Sequence, residues 1–274
     1  MPLINTSAGV VWIDECGSGD PVLLLHANPG DPGDYDAIVP ALSEQYRVIR
    51  VSWPGYGQGP APLPPESASA MQFAELLVHL VATLDLWNIR VIGNSVGGYA
   101  ATWLTLCQPE RVRALVLVSS GGFARHNRWT KAFCRLMGHE KVARFMVRWL
   151  AWLYLRVRTP VVRDMLRRAA TVHRDPVRVA VNAAVWRSFV DPAHDLRDAA
   201  RHVQVPTLVV SGRRDPLVPV DDGVTAAACI PGAHHIVMPC GHAPFAEVPA
   251  LFLQATLPFL DSPPPSVGRA QAAS

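Results

Sequence analysis

Ser95, Asp215 and His242 have the types and spacing for nucleophilic acyl transfer. Ser95 stands in Gly93-Asn94-Ser95-Val96-Gly97-Gly98, directly after the strand pattern Ile89 to Ile92 and before a helical pattern. A sharp turn from strand to helix tolerates no bulk two residues before or after its nucleophile, which accounts for Gly93 and Gly97. The turn also sets the serine oxygen at a helix N-terminus, where free amide N–H groups and the helix dipole favour developing negative charge. Because a serine hydroxyl is a weak nucleophile at neutral pH, a base must lie within reach of its proton.

The chain has ten histidines, of which His242 is the candidate base. It lies in Pro239-Cys240-Gly241-His242-Ala243-Pro244, between the last strand pattern and the closing helix Phe245 to Leu260. Loops at the carboxyl ends of strands are where open α/β sheets gather their ligands. His234 and His235, at the start of that strand, read as surface or packing residues. Neutral imidazole needs a partner that holds its tautomer and stabilises the imidazolium. Asp215 follows the run Val205 to Val210 in Ser211-Gly212-Arg213-Arg214-Asp215-Pro216, at the same sheet edge. Asp221 and Asp222 lie further on and read as helix-start residues, while Ser119-Ser120-Gly121-Gly122 after the preceding strand offers no carboxylate. Two amide N–H groups, of Asn28 after the first strand and of Val96 after the nucleophile, are the expected oxyanion donors. The Asn28 side-chain amide is a further donor, and Asn28-Pro29-Gly30 also suits an ordinary turn.

The elements that must position these residues alternate. Pro21 to His26, Tyr46 to Val51, Ile89 to Ile92, Val112 to Val118, Val205 to Val210 and His234 to Met238 read as strands. Tyr35 to Glu44, Ala68 to Leu86 and Tyr99 to Cys107 carry helical periodicity between them. Such alternation implies an α/β fold, a mostly parallel sheet flanked by helices. The alternation stops after Gly121-Gly122, and the next stretch is helical throughout. Residues 1–122 and 201–274 are therefore expected to form the core, with 123–200 an inserted helical cap. The Pro263-Pro264-Pro265 tail reads as frayed.

Composition narrows the classes. Half of the 274 residues are apolar and 17% are charged, a globular balance. Five cysteines, Cys16, Cys107, Cys134, Cys229 and Cys240, contain no C-x-x-C pair, which argues against a zinc site or disulfide framework and for a reducing compartment. No metal and no cofactor is expected. The N-terminal residues carry no basic-then-apolar leader pattern, so the expected location is cytoplasmic. The net charge of +3 conceals a cap of +10 over 123–198, where 16 Lys and Arg face 6 Asp and Glu. These cations alternate with Trp, Leu, Phe and Val at helical spacing and read as solvated faces of amphipathic helices, not as a nucleic-acid surface. From Lys141 to Arg168 the stripe also fits a membrane-docking face, although packing against the core is the preferred reading. A small-molecule substrate is the expected partner; oligomeric state is not legible.

With these residues in place, the chain resembles the α/β-hydrolase fold superfamily from about residue 20 to 260, in its serine-nucleophile branch. The resemblance rests on His26 to Gly30, Trp53-Pro54-Gly55-Tyr56-Gly57, Gly93 to Gly98, Gly212 to Pro216 and Gly241-His242. Two positions depart from the family pattern: Ala27 replaces a usual glycine of the oxyanion loop, and Ser52 replaces a usual aspartate whose anchoring contact is then expected to be missing. The resemblance implies a carboxylesterase-like enzyme with a Ser-His-Asp acyl-enzyme mechanism. Carboxylate-nucleophile dehalogenases and epoxide hydrolases are disfavoured by Ser95. Carbon–carbon hydrolases of the meta-cleavage type share Asn94 before the serine, but usually carry Trp where this chain has Ala243. The same triad also suits a cofactor-free perhydrolase, and the fold includes non-catalytic ligand-binding members. The cap's large side chains, among them Trp129, Phe133, Trp149, Trp186 and Phe189, suit an apolar pocket roof for small to medium esters.

Overall fold

Strand alternation divides the apolar side chains between two cores. In β3 (Pro21–Leu25) every residue is buried, with Leu23 and Leu25 packed on one face and Val22 and Leu24 on the other. The same division runs through β4 (Arg47–Ser52), β5 (Ile89–Asn94), β6 (Val112–Val118) and β7 (Thr207–Gly212). Strands buried on both faces need a layer on each side, and helices supply both. The computed structural model describes residues 3–62, 64–125 and 127–262; Pro263-Pro264-Pro265 lies outside them.

The sheet has eight strands in the order β1-β2-β4-β3-β5-β6-β7-β8, where β8 is His234–Met238. From β4 to β8 all neighbours are parallel, so the fold is α/β with a mostly parallel sheet. One edge carries an antiparallel hairpin, β1 (Leu3–Thr6) and β2 (Gly9–Cys16), that the sequence pattern does not reveal. Its signal is weak because β1 has four residues and Asp14 and Glu15 interrupt β2. Asp14 is nevertheless buried, held by Arg50 of β4.

The stretch expected as one helix from Tyr35 to Glu44 is a 3-10 turn, Pro32–Tyr35, followed by the short α1 (Val39–Ser43). Asp31 accepts from the Gly33 amide at 2.9 Å and fixes the turn. The long helix is α2 (Ala70–Thr83), capped by the Ser69 hydroxyl and packed through Phe73, Leu77 and Leu80. It lies against α3 (Val96–Cys107), which begins at the residue after Ser95. Between β6 and β7 an inserted helical segment holds α4 (Arg128–Met137), α5 (Glu140–Tyr154), α6 (Pro160–Thr171) and α7 (Pro176–Ser188). Helix α7 buries residues right round its circumference and forms the inner layer. Helices α4 and α5 bury one face only; Phe145, Trp149 and Trp152 face outward instead of packing on the core. After β7 comes α8 (Val220–Cys229), with Asp221 and Asp222 in its first turn. The closing helix divides into α9 (Pro244–Glu247) and α10 (Pro249–Asp261). Pro249 disfavours helical geometry in the residue before it, and Val248 sits at φ −136°, ψ 56°.

Candidate active site

Strand β5 delivers Ser95 at the carboxyl edge of the sheet with φ 55° and ψ −114°, a positive-φ conformation that costs a non-glycine residue energy. Its carbonyl accepts from Gly121 N at 2.9 Å and Tyr99 N at 3.1 Å, and its amide donates to Val118 O at 3.1 Å. These bonds hold the strained turn. The glycines are there for space: a Cβ on Gly97 would run into the Leu25 backbone, and one on Gly93 into the Gly97 backbone.

His242 and Asp215 meet at the same edge, both buried, with His242 Nδ1 2.6 Å from Asp215 Oδ2. The other carboxyl oxygen accepts from Leu217 N at 2.9 Å and Val218 N at 3.2 Å, so the acid cannot rotate away. Nδ1 faces an acceptor and therefore carries the ring proton, which leaves Nε2 as the basic nitrogen. Three further contacts place the histidine. Its amide donates to Tyr154 O at 3.0 Å, its carbonyl accepts from Asn94 Nδ2 at 3.2 Å, and the Tyr154 ring lies edge-on, 5.2 Å between centroids.

Glu247 was not legible as a site residue. Buried in α9, it accepts from Gly241 N at 3.0 Å and Ala243 N at 3.1 Å, the amides on either side of His242. It also accepts from Arg156 N at 2.7 Å and Val157 N at 2.8 Å, tying the link after α5 to the histidine loop. Its place five residues after the histidine was the available clue, but its four partners come from loops that only folding brings together.

Asn28 lies beside Ser95 and Val96 on the wall of one cavity. Its side chain is committed elsewhere: Oδ1 accepts from the Tyr56 hydroxyl and from Asn182 Nδ2 at 3.2 Å, while Nδ2 points to Asn182 O at 3.5 Å. The backbone amides of Asn28 and Val96 donate no hydrogen bond among the described residues, as the first turn of a helix leads one to expect for Val96. Beneath this loop His26 is fully buried, with Trp53 N donating to Nε2 at 3.2 Å and Nδ1 2.8 Å from Ala27 O. Burial pushes its pKa down to about 4. The anchoring expected to be lost with Ser52 is present in another form, since Ser52 Oγ donates to Tyr56 O at 2.7 Å.

The cavity over Ser95 and His242 measures about 100 Å³ and is walled by Tyr154, Trp186 and Phe189 of the insertion. His194, whose turn gave no sequence signal, stacks between Tyr99 and Phe189 at 4.6 Å from each. No Lys or Arg lines the cavity among the described residues. Phe133, Leu217 and Asp222 are shared with an open vestibule of about 810 Å³ that also has Arg125, Trp129 and Asp221 on its walls. Burial, with Asp221 and Asp215 nearby, raises Asp222 to about 6 against the opposing pull of Arg125 and Arg197. His234 is exposed, and His235 Nε2 is 2.9 Å from Ser211 Oγ, away from the cavity walls.

Comparison with known proteins agrees with this architecture. A family model described as the alpha/beta hydrolase fold matches residues 20–249. The chain is 30% identical over 268 residues to the 2-hydroxy-6-oxononadienedioate/2-hydroxy-6-oxononatrienedioate hydrolase of Escherichia coli, covering 92% of this chain and 91% of that one. It is 28% identical to the pimeloyl-acyl-carrier-protein methyl ester esterase of Nitrosomonas europaea, covering 89% and 96%. An esterase from Exiguobacterium antarcticum superposes with a TM-score of 0.82 at 21% identity, covering 95% and 99%. With its sheet order, its inserted helices and a match to the family model over most of its length, the chain belongs to the α/β-hydrolase fold family.

Proposed function

We propose that this protein hydrolyses carboxylic esters of small to medium, largely apolar substrates through an acyl-enzyme on Ser95. The observation that carries the reading is the His242–Asp215 pair, 2.6 Å apart, on a small cavity that Ser95 lines and no cation enters. In this mechanism His242 Nε2 takes the Ser95 proton as Oγ attacks the acyl carbon. The oxyanion is held by the amide N–H groups of Asn28 and Val96. Collapse breaks the acyl–oxygen bond, and His242 hands its proton to the departing alcohol; water then repeats the sequence on the acyl-enzyme. Residues 123–200 act as the cap and residues 1–122 and 201–274 as the core.

A carbon–carbon hydrolase is the second reading, favoured by Asn94 and by the likeness to the Escherichia coli dioate hydrolase. The cavity weighs against it, because a dienoate carboxylate would be buried there without a cationic partner, and an unpaired buried charge is costly. The test is kcat/KM over p-nitrophenyl acetate, butyrate, octanoate and palmitate beside a meta-cleavage dienoate. A maximum between acetate and octanoate is expected. Dienoate turnover above every ester by about tenfold, equivalent to about 1.4 kcal/mol of transition-state binding, would overturn the ester reading.

A further inference from the structure

The outer face of the insertion carries an apolar stripe of which only Phe133 reaches the cavity over Ser95. On α5, Phe145, Trp149 and Trp152 follow at spacings of four and three, so they line one side of the helix, 67%, 58% and 59% exposed. Met146 and Leu153 widen the stripe. On α4, Trp129, Phe133 and Leu136 repeat the spacing, with Trp129 78% exposed. The two helices touch, and Trp129 and Phe133 of α4 wall one vestibule with Leu153 of α5, which joins the stripes there. Soluble surfaces scatter large apolar side chains singly; a contiguous patch marks a binding face.

Cations border the patch. From Arg128 to Arg158 the chain has eight Lys and Arg and one acidic residue, Glu140. Among the described residues Arg135, Lys141, Arg144 and Arg148 have no carboxylate within ion-pair distance, although other arginines of the insertion do. Arg148 lies over the Trp149 ring at 5.0 Å, its charge at the edge of the aromatic face.

We propose that the outer face of α4 and α5 docks on an anionic lipid surface, with the aromatic stripe entering the headgroup boundary and the arginines meeting lipid phosphates. Charge complementarity selects this occupant. A second copy of the chain, related by a two-fold axis, would set the same cationic rim against itself. The aliphatic share of the stripe, Leu136, Met146 and Leu153, suits acyl chains and offers nothing for nucleobases to stack on. The surface is also continuous with the vestibule, since Trp129, Phe133 and Leu153 wall both. An apolar ester dissolved in the bilayer would therefore enter the vestibule without crossing open water. That delivery role rests on the ester reading, whereas docking itself does not.

The experiment reads binding, so it stands or falls apart from turnover. The full chain is sedimented with vesicles of phosphatidylcholine alone and of phosphatidylcholine mixed with phosphatidylglycerol. Sedimentation with the mixed vesicles only, weakening as salt is raised, is the expected result. The exposed double variants Trp149→Ser/Trp152→Ser and Arg144→Glu/Arg148→Glu should each lower the lipid partition coefficient by at least about tenfold. Both should hydrolyse a water-soluble ester as the parent does, because neither touches the cavity. Failure of the parent to bind mixed vesicles at low salt would overturn the proposal. So would a parent dimer that Trp149→Ser/Trp152→Ser converts to monomer, which would assign the face to self-association.

Discussion

A 2.6 Å contact between His242 and Asp215 fixes which nitrogen of the imidazole is free, and that single fact sets the expected consequences of substitution. Ser95→Ala or His242→Ala should lower kcat by on the order of 10³-fold or more, since members of such a unit are not independent. Asp215→Asn should cost on the order of 10²- to 10⁴-fold by favouring the wrong tautomer. Steady-state assay of folded variants checks both; full activity in Ser95→Ala would remove the nucleophile assignment. Glu247 acts one step back. Both of its oxygens serve as acceptors, and Glu247→Gln turns one into an N–H donor facing a donor. The expected result is a loss of about 2 kcal/mol of stability, read by urea unfolding, from hydrogen bonds to a charged group. A fall in kcat with little change in KM should accompany it, because the histidine loop shifts while the cavity wall stays. Unchanged kcat in a destabilised variant would leave Glu247 a purely structural residue.

Elements carry two duties at once in the inserted segment. Helix α5 docks by Ala143, Val147, Leu150 and Ala151, and its last residue, Tyr154, receives the His242 amide. Helix α6 is joined to the core where Arg168 meets the buried Asp34 at 2.6 Å, a carboxyl that burial raises to about 6 despite that partner. Helix α7 brings Trp186 to the cavity and Asn182 to Asn28. Its start is held by Asp175, which accepts from Val177 N at 3.0 Å and Arg178 N at 3.2 Å. Asp175→Ala should therefore lower stability by about 1 kcal/mol, the ordinary value of an N-cap. A urea midpoint equal to that of the parent would mean that packing alone sets the start of α7.

Across the whole molecule, acid stability should register His26. Its pKa falls from the ordinary 6.5 to about 4 because burial penalises the charged ring, which outweighs the opposing pull of Ala27 O and Asp31; the neutral ring accepts from Trp53 N through Nε2. Between those values the unfolded chain binds a proton that the folded chain refuses. The contribution of neutral His26 is thus fully present above about pH 6.5 and is lost as pH falls toward about 4. Asp34 and Asp222 shift in the opposite sense over much of that range, so the measurement must be a difference. The stability advantage of the parent over His26→Asn should shrink as pH drops from 6.5 to about 4. An advantage independent of pH would show that His26 does not titrate with unfolding.

Much of this arrangement was legible in the order of residues because its causes are local. Gly93 and Gly97 flank Ser95 since a turn that tight excludes side chains, and the runs around Leu24 and Val116 are apolar because strands covered on both faces must be, while Arg90 beside Val91 is accommodated by donating to Leu260 O at 2.7 Å. The end of the alternation after Gly122 follows from the same short-range rules, whereas the closing helix read as continuous from Phe245 to Leu260 divides before Pro249. Other features needed the third dimension. The edge hairpin depends on Asp14 finding Arg50, the closing of the loop at Asn28 on its side chain finding Tyr56 and Asn182, and the setting of His242 on Glu247 reaching four amides from two loops. A sequence also cannot say which side of an amphipathic helix is left without a neighbour. Hydrophobic spacing on α5 is equally consistent with Trp149 inside or outside, and only the packing of Val147 and Leu150 against the protein decided that the tryptophans face out.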